Sequence, residues 1–330
     1  MKTPQLPHPK LAKALSLPDE LWLKREDLHH YGSHKGRSIP LMINEYRKQG
    51  VTNFIISSSG NAALAAILAI QKCNQNAKGE PLKLTVLVGE KINTEKFQMI
   101  AKNQESEIMN QGVVVVEQCA RPKQTAFQME KEGKGNSANA GGVKWLRQST
   151  DDMALVGYQE LAGELTKIPN LAAVFIPTSS GTTAQGLYEG FSALGLNPEI
   201  HIVQTEECHP MVNVSATTPD PSLVRRGDAL SPPYQGEVVA FGDRGGGSLA
   251  TAIVDKIAHR KNKILEILKI SQGAGWVASN QEIKESIKLT KEKTGIEISP
   301  NSALSVVGLT QAIASGKKWD GAVVCLVTGR

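Results

Sequence analysis

The sequence predicts an α/β fold with parallel-rich sheets covered by helices on both faces. Three observations carry that expectation. Short β-branched apolar runs alternate with longer stretches of helical periodicity along the 330 residues. The apolar runs are near-continuous rather than alternating, as strands buried on both faces are. Aromatic residues make up only 5% of the chain against 40% hydrophobic residues, so the core must rest on Ala, Val, Ile and Leu.

In chain order, the apolar residues Leu21, Trp22 and Leu23 lead to a turn holding Gly32 and Ser33. A helix is expected over Ile39–Lys48, with Pro40 tolerated in its first turn. Strands are expected at Asn53–Ser57, Leu82–Val88, Val113–Glu117, Ala172–Pro177, Ile200–Thr205 and Ala322–Thr328. Helices are expected between and after them, at Asn61–Lys72, Thr94–Asn103, Lys123–Glu132, Tyr158–Thr166, Ala184–Leu194, Gln281–Lys293 and Ser302–Ser315. Gly133–Gly142 and Thr217–Asp243 are rich in Gly, Pro or Ser and read as loops. Right-handed crossovers would bring the strand-end loops to a common edge.

A chain of 330 residues suits two domains or one large α/β unit. The net charge of +5 is mild, and no Lys/Arg run is interleaved with aromatics, which argues against nucleic-acid binding. Such a balance suits anionic small molecules. The four cysteines (Cys73, Cys119, Cys208, Cys325) have no metal-ligand spacing, and no metal is expected. Reduced thiols, the lack of an apolar signal core and the lack of a membrane-spanning run give an expectation of a cytoplasmic protein without a membrane partner.

Four short motifs carry chemistry. Lys35 closes the run Lys24-Arg25-Glu26-Asp27-Leu28 … Gly32-Ser33-His34-Lys35, at a strand-to-helix junction. Free backbone N–H groups and the positive helix end there would favour a phosphate and disfavour a protonated amine. An unprotonated lysine beside a phosphate is what a pyridoxal phosphate Schiff base requires. Ser57-Ser58-Ser59-Gly60-Asn61-Ala62 joins a strand to an apolar helix, a helix start able to hold a carboxylate or simply capped by its own side chains. Thr178-Ser179-Ser180-Gly181-Thr182-Thr183 offers a nest of N–H and O–H donors at another strand-to-helix turn. It is neither a Walker loop nor a dinucleotide fingerprint. The last strand ends in Thr328-Gly329.

In this order and spacing the motifs resemble those of the fold-type II pyridoxal phosphate enzymes, the tryptophan synthase β superfamily, over about residues 20 to 330. The Lys24–Leu28 run with His34-Lys35 is similar to the tryptophan synthase β subunit, whereas threonine synthases and threonine dehydratases usually carry phenylalanine at the place of His34. Ser57–Asn61 is similar to threonine synthases instead. The resemblance implies a smaller domain, residues 41–145, inserted into a larger one formed by 1–40 and 146–330, with the cofactor between them. It implies Lys35 as the catalytic, cofactor-linked lysine. It implies cofactor contacts from His34, Asn61, Ser179, Ser180, Gly181, Thr182, Thr183 and Thr328. Ser58, Ser59, Gly60, Asn61 and Ala62 would bind the substrate carboxylate, and Thr328 would face the pyridine nitrogen. Two departures stand out. The phosphate loop has fewer glycines than usual, and Ser299 replaces a common glutamate, with Glu297 two residues earlier.

The resulting expectation is a lyase or transferase acting on a small L-amino acid by elimination or replacement at Cβ or Cγ. A threonine synthase-like reaction on O-phosphohomoserine comes first. Serine/threonine dehydratase or cysteine-synthase-like replacement is the alternative, and a homodimer is common among such proteins. A non-catalytic cofactor carrier and an NAD-binding oxidoreductase are the readings of other classes, and the latter lacks its fingerprint glycines.

Overall fold

The computed structural model describes residues 2–18, 20–75, 80–90, 92, 98, 113–135, 142–212 and 247–329. The expected helix Thr94–Asn103, apart from Gln98, and the expected loop Thr217–Asp243 lie outside the described residues, as do residues 136–141 of the loop Gly133–Gly142.

Two sheets organise the chain. The larger has six strands: β1 (Gln5–Pro7), β2 (Leu21–Arg25), β7 (Leu171–Pro177), β8 (Glu199–Thr205), β9 (Gly275–Ala278) and β10 (Ala322–Val327), in the order β1-β2-β10-β7-β8-β9. Only the β1–β2 pair is antiparallel. The smaller sheet is parallel throughout, with β3 (Asn53–Ser57), β4 (Lys83–Gly89), β5 (Val114–Cys119) and β6 (Val143–Trp145) in the order β5-β4-β3-β6.

Helices cover both faces of each sheet, and strand periodicity decides which residue meets which helix. On one face of the larger sheet, Phe175, Val323 and Cys325 pack with Leu11 of α1 (Pro9–Ala14), Ile283 of α8 (Asn280–Thr294) and Leu304 of α9 (Pro300–Ala314). Their neighbours Val174, Ile176, Val324 and Leu326 face the other way. There they meet Leu161 of α5 (Met153–Leu165), Leu187 of α6 (Thr182–Ala193) and Ile264 of α7 (Lys261–Ile270). All these side chains are fully buried, each contributing about 1.5–3 kcal/mol of transfer free energy. The smaller sheet packs Phe54 and Val86 against Ile39 and Met42 of α2 (Lys35–Lys48) and Ile67 of α3 (Asn61–Gln75). Its other face packs Ile55, Leu87 and Trp145 against Ala126 of α4 (Pro122–Gly135).

Several boundaries differ from the sequence expectation. Helix α2 begins at Lys35, not Ile39, so Pro40 falls in the second turn, where it removes one backbone donor. Helix α5 begins at Met153 because Asp151 accepts from the Met153 N–H at 3.1 Å and so starts it early. Helix α4 runs on through Gly133 to Gly135. The elements β1, α1, β6 and β9 are too short to carry a periodic signal, whereas α7 has an amphipathic stripe (Ile264, Ile267, Leu268) that the sequence expectation did not include. Among the described residues, no helix is long and apolar enough to cross a membrane.

Candidate active site

Parallel strands deliver their C-terminal ends to one edge, and the four motifs leave the sheets there. One cavity is lined by His34, Lys35, Ser179, Ser180, Gly181, Thr182, Thr183 and Thr328, together with Ala252, Ile253 and Asn301. Residues that lie nearly three hundred positions apart in sequence thus share one wall. Ser58–Ala62 does not line this cavity. It stands beside it, because Asn61 abuts Gly329: a Cβ on Gly329 would come 2.6 Å from Asn61 Nδ2. Among the described residues, the N–H groups of Asn61, Ala62 and Ala63 and the Asn61 carboxamide make no hydrogen bond.

Lys35 is held by what lies behind it. The buried Arg37 guanidinium, on the same helix, donates to both Glu26 oxygens (2.9 and 2.8 Å) and to Glu164 Oε1 (2.6 Å). Lys24 adds a 2.5 Å contact to Glu164. Burial alone would raise the Glu164 carboxyl, but the Arg37 and Lys24 contacts outweigh it and hold the group at about 2. This cluster fixes the start of α2 against β2 and α5. The Lys35 amine itself forms no ion pair among the described residues. The sequence reading is corrected at one point. The N–H groups at the start of α2 are not free. Lys35 N–H donates to Ser33 Oγ (3.3 Å), Gly36 N–H to Ser33 O (3.0 Å) and Arg37 N–H to His34 O (3.0 Å).

The free donors sit at α6 instead. Among the described residues, the N–H groups of Ser180, Gly181, Thr182, Thr183 and Ala184 have no acceptor. Gly181 makes the turn possible: its φ is 84°, and an added Cβ would come 2.8 Å from Ile264 Cγ1. The hydroxyls are mostly used elsewhere. Ser179 Oγ donates to Asp255 Oδ2 (3.0 Å) and accepts from the Val254 and Asp255 N–H groups (both 3.2 Å). Thr182 Oγ1 donates to Gln148 O (3.1 Å), which leaves Ser180 Oγ as donor to Thr182 across 2.9 Å. A backbone nest with a helix dipole behind it suits an anionic group such as a phosphate.

Thr328 is pinned from two sides. Its carbonyl accepts from the His34 N–H (2.9 Å) and His34 Nδ1 (2.8 Å). Its hydroxyl lies 3.4 Å from Ser302 Oγ, and Ser302 and Ser299 both donate to Gly329 O, at 2.9 and 2.6 Å. Ser299, in the place of the common glutamate, is also the N-cap of α9. Burial pushes the His34 imidazole down to about 3, and the Lys35 charge adds to that, against the opposing pull of its Thr328 bond.

Asp255, Gln148 and Arg260 shape the site without having a sequence signal. The Asp255 carboxylate meets both Ser179 and Lys123 (2.9 Å, from α4). Burial pushes its pKa up, but the Lys123 and Ser179 contacts and the charge of Lys35 hold it below the usual carboxylate range. Gln148 O accepts from the buried Arg260 (3.2 Å) as well as from Thr182, so it ties the loop to a second element. All three lie in segments with no motif of their own, and only the fold brings them to the loop.

The donor set fits pyridoxal phosphate: a backbone N–H nest, a hydroxyl at Thr328 and, among the described residues, a lysine without an ion pair and an unused carboxamide at Asn61. Comparison with known proteins agrees. A family model described as pyridoxal-phosphate dependent enzyme matches residues 1–329. The threonine synthase of Methanocaldococcus jannaschii is 24% identical over 324 residues, covering 94% of this chain and 70% of that one. The threonine synthase of Methanosarcina acetivorans is 22% identical over 341 residues, covering 99% and 74%. Among solved structures, the processed form of threonine deaminase isoform 2 from Solanum lycopersicum superposes with a TM-score of 0.71 at 16% identity, covering all of this chain and 79% of that one. Serine racemase from Dictyostelium discoideum gives 0.71 at 17% identity, covering all of this chain and 92% of that one. At these identities the structural likeness speaks for the fold, and the match of the family model along the chain settles the rest: the protein belongs to the pyridoxal-phosphate dependent enzymes.

Proposed function

We propose that the protein is a lyase acting on a small L-amino acid by elimination or replacement at Cβ or Cγ, in the manner of a threonine synthase. One observation carries the reading: Lys35, without an ion pair among the described residues, shares a cavity with the free N–H nest of Ser180–Thr183. Both sequence relatives are called threonine synthase, which supports the finer choice.

In this reading the Ser179–Thr183 loop grips the phosphate through its backbone, and Thr183 adds a hydroxyl. Pyridoxal phosphate bound there supplies an aldehyde for the substrate amine and a ring that takes up the electrons left on Cα. The Thr328 hydroxyl would serve the ring nitrogen, and Asn61, beside Gly329, would serve the 3-hydroxyl. A hydroxyl cannot keep that nitrogen protonated as a carboxylate would, which suits loss of an α-proton followed by loss of a leaving group. The N–H groups of Asn61, Ala62 and Ala63, with Ser58 and Ser59, receive the substrate carboxylate at the start of α3. Lys35 Nζ takes the α-proton and returns it. Residues 41–145, which hold the smaller sheet, form the domain that carries the carboxylate loop.

The test pairs one variant with a substrate panel. Lys35→Ala should lose the borohydride-reducible cofactor link and all turnover. Wild-type protein should release phosphate from O-phosphohomoserine and yield a new amino acid. Serine, threonine and activated serines form the comparison set, scored by 2-oxoacid or replacement product. A Lys35→Ala protein with a reducible link and normal turnover would overturn the reading.

A further inference from the structure

The proton of His34 can be placed from its partner. Nδ1 lies 2.8 Å from the Thr328 carbonyl oxygen, which has lone pairs and no proton, so Nδ1 must donate. The same oxygen takes the His34 backbone N–H at 2.9 Å, which fills its second lone pair and fixes the ring at the start of α2. A neutral imidazole has one N–H, and burial beside Lys35 keeps this ring neutral. Nε2 is therefore a bare lone pair. Among the described residues it has no hydrogen-bond partner, and the ring lines the same cavity as Lys35.

Several of the other polar side chains at that wall are already engaged, and the unbonded N–H groups of the loop can only donate. Ser179 and Thr182 spend their protons on Asp255 and Gln148. Asn301 Oδ1 accepts the Ala252 N–H at 3.0 Å. The nearby Asp255 carboxylate is shared between Lys123 and Ser179. We propose that His34 is a positioning residue: held as the Nδ1–H tautomer, it offers Nε2 as the hydrogen-bond acceptor for the Lys35 ammonium formed when that amine takes up a proton. The inference rests on the reading of Lys35 as the group that moves the α-proton.

A neutral acceptor suits that task. A carboxylate in its place would bind the ammonium too tightly and keep the proton on Lys35. An imidazole lone pair steadies the ammonium in the cavity without adding charge, so the proton can be handed back. A histidine protonated at Nε2 would instead repel the ammonium. The tautomer is thus the substance of the proposal, and the Thr328 carbonyl is what selects it.

The chain contains its own control. His29 Nδ1 accepts the Tyr31 N–H at 3.3 Å, so its proton sits on Nε2, the opposite arrangement. Protein labelled with nitrogen-15 histidine, with and without pyridoxal phosphate, should show both patterns in a nitrogen–proton correlation spectrum. His34 should show a protonated Nδ1 and a bare Nε2 from about pH 5 to 8, and His29 the reverse. His34→Asn keeps a donor near Nδ1 and removes Nε2. At saturating cofactor it should exchange the α-proton of a neutral amino acid with deuterated water at least about tenfold more slowly than wild type. His34→Gln, whose amide oxygen reaches the place of Nε2, should recover part of that loss. An Nε2-protonated His34, or His34→Asn exchange at the wild-type rate, overturns the proposal. If His34→Asn fails to fold or load, the tautomer of the wild-type ring decides alone. Wild-type protein that loads no cofactor or exchanges no α-proton would sink the lyase reading while leaving the tautomer measurement valid.

Discussion

The Arg37 guanidinium clasps Glu26 through two parallel hydrogen bonds of 2.9 and 2.8 Å, with both side chains almost wholly out of water. A desolvated pair of this kind contributes little net stability, but losing one partner leaves a buried charge behind. Glu164 still faces Arg37, so the loss falls at the low end of the usual range. Glu26→Ala should therefore cost about 3 kcal/mol in urea unfolding. It should also weaken cofactor uptake, since the pair fixes the helix turn that carries Lys35. A loss below about 1 kcal/mol, the level of an exposed pair, would mean that Glu164 alone neutralises Arg37.

Glu164 makes a separate claim about acid stability. Its carboxyl is held at about 2 in the fold against an ordinary value of 4.5, by hydrogen bonds from Arg37 and Lys24 that outweigh its burial. A depressed folded pKa means that the unfolded chain takes up the proton first. The contribution of Glu164 is then complete above about pH 4.5 and fades as pH falls towards about 2. Urea midpoints measured from pH 6 down to pH 2.5 should fall more steeply for wild type than for Glu164→Gln. Parallel curves would show that the acid limb belongs to other carboxylates.

The phosphate loop separates backbone from side-chain recognition. Gly181 has φ 84°, and an added Cβ would meet Ile264. Gly181→Ala therefore strains the turn by about 1–2 kcal/mol and displaces the free N–H groups. Cofactor affinity should fall at least about tenfold, as read by equilibrium titration. Ser180→Ala removes a hydroxyl whose proton already goes to Thr182, so its affinity should stay within about threefold of wild type. The reverse order would mean that hydroxyls rather than backbone hold the phosphate.

Much of this arrangement was legible in the sequence because it depends on local chemistry. The strand-to-helix turn around Gly181 needs small residues, and the short, β-branched apolar runs of β7 and β10 read as buried strands. The motifs at Lys35, Ser179–Thr183 and Thr328 reach one cavity because parallel strands share a C-terminal edge. What stayed hidden depends on distant pairing. Nothing near Asp255 or Gln148 hints at a partner in the phosphate loop. The start of α2 misled for a subtler reason: its N–H groups look free until Ser33 and His34 fold back onto them. Ser302 reads as an ordinary helix residue until Gly329 closes against it.

Asp255 gives the last prediction. Its carboxylate accepts a hydrogen bond from Ser179 and lies against the loop proposed to hold a phosphate. Two anions on one set of donors repel, and Lys123, more than half exposed, only partly offsets this. Asp255→Asn keeps the shape and an oxygen for Ser179 but removes the charge. Cofactor affinity should rise about three- to tenfold, the effect of roughly 0.6–1.4 kcal/mol of relieved repulsion. The gain should shrink as salt is raised, because the site opens to solvent on the Lys123 side. Lys123→Ala, which leaves the Asp255 charge without its partner, should shift affinity the opposite way. If Asp255→Asn instead weakens binding, the carboxylate serves chiefly to hold residues 254 and 255 on the loop, and its charge is incidental to the phosphate.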